Sequence, residues 1–241
     1  MDFVKIAMWS GPRNISTALM RSFENRDDTF VTDEPLYGHY LKQTKIDHPM
    51  KNEIINSSDT NWKSISKFLT GDIPKNKSIW YQKHMAQHNI FISDMSWICE
   101  LNNCFLIRNP KDVIKSYIKK LQLNSSHQLG FLQQFNLFNF LEEKGCDIII
   151  IDSIDLLINP QNILQLLCNR LNIPFTNKML NWPKGIRNSD GIWGKHWYNN
   201  VVNTTCFNSY IHNNQKLPKK YHNIYNECFD YYQYLYEKRL H

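Results

Sequence analysis

A chain of 241 residues with 42% hydrophobic and 13% aromatic side chains has the material for one packed core, which excludes a disordered segment. Its net charge of +6 is spread out with no run of five or six basic residues, so an anionic small molecule fits it better than nucleic acid does. Six cysteines, at 99, 104, 146, 168, 206 and 228, form neither a CxxC pair nor a zinc spacing, which leaves buried, reduced thiols as their reading.

The first element is a strand over 3–8, in which Val4, Ile6 and Met8 alternate with Lys5 and Ala7. No basic, apolar leader precedes it and no stretch reaches the length of a membrane span, so the expected location is the cytoplasm. A helix opens at 15–25, and a short strand at 29–32 ends on Asp33-Glu34-Pro35. Residues 36–77 read as polar and irregular, with one helix near 62–69. Strands follow at 78–83 and 103–107, helices at 110–122 and 129–143, and a strand at 147–151 whose Ile-Ile-Ile-Ile run suits burial on both faces. Pro160 opens a helix over 160–172 with Leu164, Leu167 and Leu171 on one face. The Trp-, Gly- and Asn-rich stretch 181–197 reads as a functional loop, and 218–240 as a tyrosine-faced helix. Strands alternating with helices predict one α/β domain over 1–241, a P-loop-like three-layer fold with a central parallel sheet of about five strands.

In such a sheet ligands bind beyond the carboxyl ends of the strands. At the first of these, Gly11 allows close backbone approach, and a helix N-terminus near Ile15, Ser16 and Thr17 offers free N–H groups to an anion. Aligned on Gly11, a Walker A loop needs glycine, lysine and a hydroxyl residue where this chain has Ser16, Thr17 and Ala18, which disfavours a magnesium-dependent kinase. At the fourth strand's end, Arg108 is placed to fork onto a phosphate. Pro110 suits the first turn of a helix, and Ser116 falls nearly two turns in, able to reach the same phosphate. Two separate phosphate sites imply a nucleotide-like donor.

The loop Pro12-Arg13-Asn14-Ile15-Ser16-Thr17-Ala18-Leu19 resembles the 5′-phosphosulfate loop of the sulfotransferase family, and Arg108-Asn-Pro-Lys-Asp-Val-Ile-Lys-Ser116-Tyr resembles its 3′-phosphate motif. Trp9 to Tyr40 is similar to a group of uncharacterised bacterial sulfotransferase-like proteins that share the stretches WSGPRNIST and DEPLYxHYL. The resemblance implies 3′-phosphoadenosine-5′-phosphosulfate as donor, a small-molecule acceptor, and a metal-independent reaction. Within it Arg13 meets the charge that gathers on the 5′-phosphate as the S–O bond breaks. Asn14-Ile15 replaces the family's usual Ser-Gly and removes backbone freedom. Residues 184–197 look like a diverged form of the family's C-terminal loop; they assign Lys184 and Gly185 to the 3′-phosphate, Arg187 to the family's arginine, and Trp193 to a cover over the pocket.

Two residues compete as the base that takes the acceptor's proton. His84, beside Lys83 after the third strand, has the near-neutral range that suits a base. Glu34 is aimed by Pro35, which biases it toward an extended backbone. Lys83 is assigned to a sulfuryl oxygen. His84 and His88 stand four apart with no third metal ligand evident. A P-loop-type kinase and a non-catalytic nucleotide-binding protein remain the alternatives. The acceptor's identity and the oligomeric state are not written in any motif.

Overall fold

A computed structural model describes residues 3–90, 94–211 and 215–241. The strands are β1 Val4–Ser10, β2 Thr29–Asp33, β3 Ile79–Met85, β4 Asn102–Ile107 and β5 Ile148–Asp152. They form a five-stranded sheet in the order β2-β3-β1-β4-β5, with every neighbouring pair parallel. The helices are α1 Ser16–Glu24, α2 Tyr37–Thr44, α3 Lys51–Ser57, α4 Trp62–Thr70, α5 Pro110–Tyr117, α6 Phe131–Glu143, α7 Ser153–Ile158, α8 Pro160–Arg170, α9 Gly194–Trp197 and α10 His222–Glu237.

Strand alternation sorts the apolar side chains into two layers. Ala7, Trp9, Trp80, Phe105 and Ile150 face α4, α5, α6 and α10. Ile6, Met8, Tyr81, Cys104, Leu106, Ile149 and Ile151 face α1, α7 and α8. Burial on both sides is why β4 and β5 read as continuous hydrophobic runs, and each large side chain so enclosed contributes about 1.5–3 kcal/mol. The chain's end is tied in as well, since Leu240 N–H donates to the Ile150 carbonyl at 2.8 Å.

The stretch 36–77 is more helical than its sequence suggests. It carries α2 and α3 ahead of α4, and the buried face of α2 holds Gly38 and His39 beside Tyr37 and Leu41, which hides the apolar period. The helix expected over 110–122 stops at Tyr117, and α10 is confined to His222–Glu237. Among the described residues no helix is long and apolar enough to cross a membrane. The parallel arrangement brings Ser10, Asp33, Met85, Ile107 and Asp152, the last residue of each strand, to one edge of the sheet.

Candidate functional site

A cavity of about 540 Å³ opens at that edge, and one continuous wall includes Pro12–Ala18, Glu34, Lys83, Arg108 and Ser116. Its first end is the loop between β1 and α1. A Cβ on Gly11 would stand 2.6 Å from the Leu129 carbonyl oxygen, so glycine is needed for the loop to lie against the turn before α6. That close approach is to protein backbone, and Gly11 itself lies behind the wall. Arg13 and Ile15 have φ of 66° and 57°, a left-handed conformation that a β-branched residue adopts only under strain. Asn14 between them pins the loop: its Nδ2 donates to the Leu106 carbonyl at 3.1 Å, and its own carbonyl accepts from Ser153 Oγ at 3.3 Å. Helix α1 starts without a side-chain cap, and its first backbone bond runs from Leu19 N–H to the Ile15 carbonyl. The N–H groups of Ser16, Thr17 and Ala18 therefore have no partner inside the helix.

Two guanidinium groups meet at this end. Arg108 Nη1 donates to the Arg13 carbonyl at 2.6 Å, and Arg13 Nε donates to Ser116 Oγ at 2.9 Å. Asn109 caps α5 by accepting from Lys111 N–H at 3.0 Å, which with Pro110 sets the turn that carries Ser116 inward. Among the described residues neither arginine forms a salt bridge, and the buried Nε of Arg108 has no acceptor. Burial lowers the pKa of both, and Arg108 adds to the lowering at Arg13. Two adjacent, partly dehydrated cations are unfavourable alone and are suited to a multiply charged anion.

At the other end stands a buried charge cluster. Lys83 Nζ donates to Asp33 Oδ1 at 2.8 Å, to Glu34 Oε1 at 2.5 Å and to Tyr198 Oη at 2.8 Å. All three of its N–H bonds are thus taken, and none is left for the sulfuryl oxygen assigned to it from sequence. Asp33 and Glu34 raise the Lys83 pKa well above its ordinary value against the opposing effect of burial. Glu34 has φ of 42°, so its backbone is left-handed where Pro35 predicted an extended one. The turn is fixed by Glu34 N–H donating to the Lys83 carbonyl at 2.9 Å and the Glu34 carbonyl accepting from Tyr37 N–H at 3.0 Å. Burial, reinforced by Asp33, raises the Glu34 carboxyl above the usual glutamate range, with Lys83 pulling the other way. Its second oxygen, Oε2, lies 3.7 Å from His88 Nδ1, a buried nitrogen with no bond of its own.

Strand parity separates the two candidate bases. Lys83 pairs in register with Asp33 and Met8 on the α1 face, and His84, one residue on, turns to the opposite face. There His84 stacks on Trp9 with centroids 4.3 Å apart, and Nε2 meets Gln82 Oε1 at 3.2 Å. Burial and Lys83 push its imidazole down to about 3, so it is neutral, enclosed and off the cavity wall. His88 was not read from sequence as a site residue. It stands on the wall with its ring stacked on Tyr37 at 4.3 Å and Tyr40 at 4.8 Å.

The stretch 184–193 also lies off the wall. Lys184 is exposed, and Gly185 N–H donates to the Val202 carbonyl at 2.9 Å. Arg187 donates to the Pro183 carbonyl at 2.7 Å, and Trp193 is buried against Tyr37, its Nε1 donating to Tyr198 Oη at 3.2 Å. The C-terminal side of the cavity is built by Trp197, Tyr198, Val201, Phe207 and Tyr210 instead. Of these only Trp197 lies within the stretch 184–197 that resembles the family's loop; Tyr198, Val201, Phe207 and Tyr210 carry no period or motif.

A sulfotransferase domain model matches residues 4–234. The chain belongs to the sulfotransferase domain family. Two curated relatives from Arabidopsis thaliana are similar over most of it. "Branched-chain-amino-acid aminotransferase-like protein 2" is 33% identical over 95% of this chain and 41% of its own length; "Branched-chain-amino-acid aminotransferase-like protein 1" is 34% identical over 90% and 37%. The chain therefore spans about two-fifths of the length of these relatives. Among solved structures, the sulfotransferase domain of the curacin biosynthetic pathway superposes with a TM-score of 0.56 at 16% identity, covering 94% of this chain and 97% of that one. A sulfotransferase from Alicyclobacillus acidocaldarius gives 0.56 at 8% identity, covering 100% and 98%. At such identities the likeness is one of fold.

Proposed function

We propose that this sulfotransferase-family protein moves a sulfuryl group from 3′-phosphoadenosine-5′-phosphosulfate to a hydroxyl or amine of a small-molecule acceptor. One observation carries the reading: a single cavity joins the salt-bridge-free pair Arg13 and Arg108 at one end to the carboxylate of Glu34 at the other. The donor, when bound, supplies the activated sulfuryl group. The open N–H groups of Ser16 to Ala18 and the side chains of Arg13, Ser16 and Thr17 hold its 5′ end. Arg108 and Ser116 hold the 3′-phosphate. Ser116 accepts from Arg13, which leaves its own hydroxyl proton to donate. The adenosine side falls to the wall of Phe207 and Tyr210 rather than to residues 184–193.

Glu34 is the base in this scheme. Its Oε1 is held by Lys83, and Oε2 is left beside His88 to take the acceptor's proton. A carboxylate raised toward neutrality by burial accepts a proton more readily than a free one. Arg13 meets the charge on the departing phosphate, so the scheme calls on no metal. Kinase chemistry has no support from Ala18, which sits where a magnesium-binding hydroxyl is needed.

The test is mass-spectrometric detection of sulfated product from a panel of alcohols, phenols and amines, with wild type and Glu34→Gln. Turnover by wild type and a loss of about 10²–10⁴-fold in the variant are expected, with binding of 3′,5′-adenosine bisphosphate retained. A variant as active as wild type would remove Glu34 from the role of base.

A further inference from the structure

Asp33 is absent from the cavity wall and has a side chain with no exposed surface, yet both of its oxygens are engaged at the charge cluster. Oδ1 accepts from Lys83 Nζ at 2.8 Å. Oδ2 accepts from Gly191 N–H at 3.0 Å and from the Tyr198 hydroxyl at 2.7 Å. Tyr198 can give its one proton to Asp33 while accepting from Lys83 and from Trp193 Nε1, so this buried hydroxyl is fully used. The segment 191–198 is thereby docked on Asp33, and Asp190 anchors it further through a bidentate bond to the buried Arg21 at 2.5 and 2.7 Å.

We propose that Asp33 is a positioning residue for proton transfer: by sharing Lys83 with Glu34 it prevents the ammonium from neutralising Glu34 alone, and so keeps Glu34 basic enough to take the acceptor's proton. This rests on the sulfuryl-transfer reading above and adds to it a residue that touches neither donor nor acceptor.

The charges around Glu34 support this assignment. Asp33 comes from β2 and Lys83 from β3, with His84 behind it. His88 follows β3, Tyr37 opens α2, His48 lies against Tyr37, and Tyr198 follows α9. Burial holds all three imidazoles below the ordinary histidine range and both phenols above theirs. The ion pairs of the cluster are then those of Lys83 with Asp33 and with Glu34. With Asp33 present, the ammonium is divided and a proton on Glu34 is favoured. Without its charge, Lys83 and Glu34 become a simple buried pair, which favours the ionised carboxylate and weakens the base.

The test is a ¹³C-NMR titration of the Glu34 side-chain carboxyl, assigned by its loss in Glu34→Gln, in wild type and in Asp33→Asn. The wild-type midpoint is expected above that of a free glutamate, and in Asp33→Asn about one pH unit or more lower. Coincident midpoints overturn the proposal. Should Asp33→Asn fail to fold, the wild type still decides, because a midpoint below the free value means that Lys83 already neutralises Glu34. Retained affinity for 3′,5′-adenosine bisphosphate identifies a folded variant. The titration needs no turnover, so a chain inactive toward every acceptor would sink the transfer reading without touching this comparison. Once an acceptor is in hand, Asp33→Asn should lower kcat and leave the donor KM unchanged.

Discussion

Glu34 and Ser116 show how differently single residues can be read from a sequence. Ser116 was legible as a wall residue because a strand end, a Pro110 turn and nearly two turns of helix fix its place by local geometry; its Oγ meets Arg13 at 2.9 Å, a contact the sequence does not spell out. Removing that hydroxyl in Ser116→Ala should weaken binding of 3′,5′-adenosine bisphosphate by about 0.5–1.5 kcal/mol, read by calorimetry. The surroundings of Glu34 were not legible, because Asp33, Lys83 and Tyr198 come together only through strand pairing and a distant loop. Their effect is testable through pH. The folded-state pKa of Glu34 is raised, so its basic form is lost as pH falls through a midpoint above the ordinary glutamate value. The acid limb of kcat should therefore lie above that value, and in a Glu34→Gln variant any residual rate should lose this limb.

Among the elements, β5 was legible because burial on both faces writes it as an apolar run, and β1 because its apolar residues alternate. Helix α2 was not, since a buried glycine and histidine interrupt the pattern that marks a core-facing helix, and α3 was not, since it buries Ile54 alone. The stretch 181–197 reads as functional from its Trp, Gly and Asn content, and 184–197 from its resemblance to the family's C-terminal loop. Its glycine at 191 has a plainer reason, because a Cβ there would lie 2.0 Å from the Trp193 ring. Gly191→Ala must displace Trp193 and, with it, the N–H that bonds Asp33. A loss of about 1–3 kcal/mol in unfolding free energy is expected, read by chemical denaturation. A variant as stable as wild type would show that this segment is not docked as described.

For the whole molecule, α10 closes the sheet over Asp152, whose oxygens accept from Ile154 N–H at 2.7 Å and from Tyr232 Oη at 3.1 Å. Burial pushes this carboxyl up to about 6 from 3.8. A raised folded-state pKa means that the protonated form belongs to the fold. The stability it provides is complete below pH 4 and is lost as pH rises through about 6, a change of about 3 kcal/mol. Asp152→Asn should accordingly gain stability over wild type at pH 8 and lose that advantage at pH 4, in denaturant melts at both values. The layered architecture and the family were both within reach of the sequence, since two short motifs and the order of the elements carry them. The far wall of the cavity was not, because its residues are joined by no spacing. The central claim is that this cavity takes a doubly phosphorylated nucleoside. Calorimetric titration of wild type and Arg108→Ala with 3′,5′-adenosine bisphosphate tests that most directly. Binding by wild type, weakened by about 1.5–3 kcal/mol in the variant, is the predicted result. No binding by wild type, or equal binding by both proteins, would contradict it.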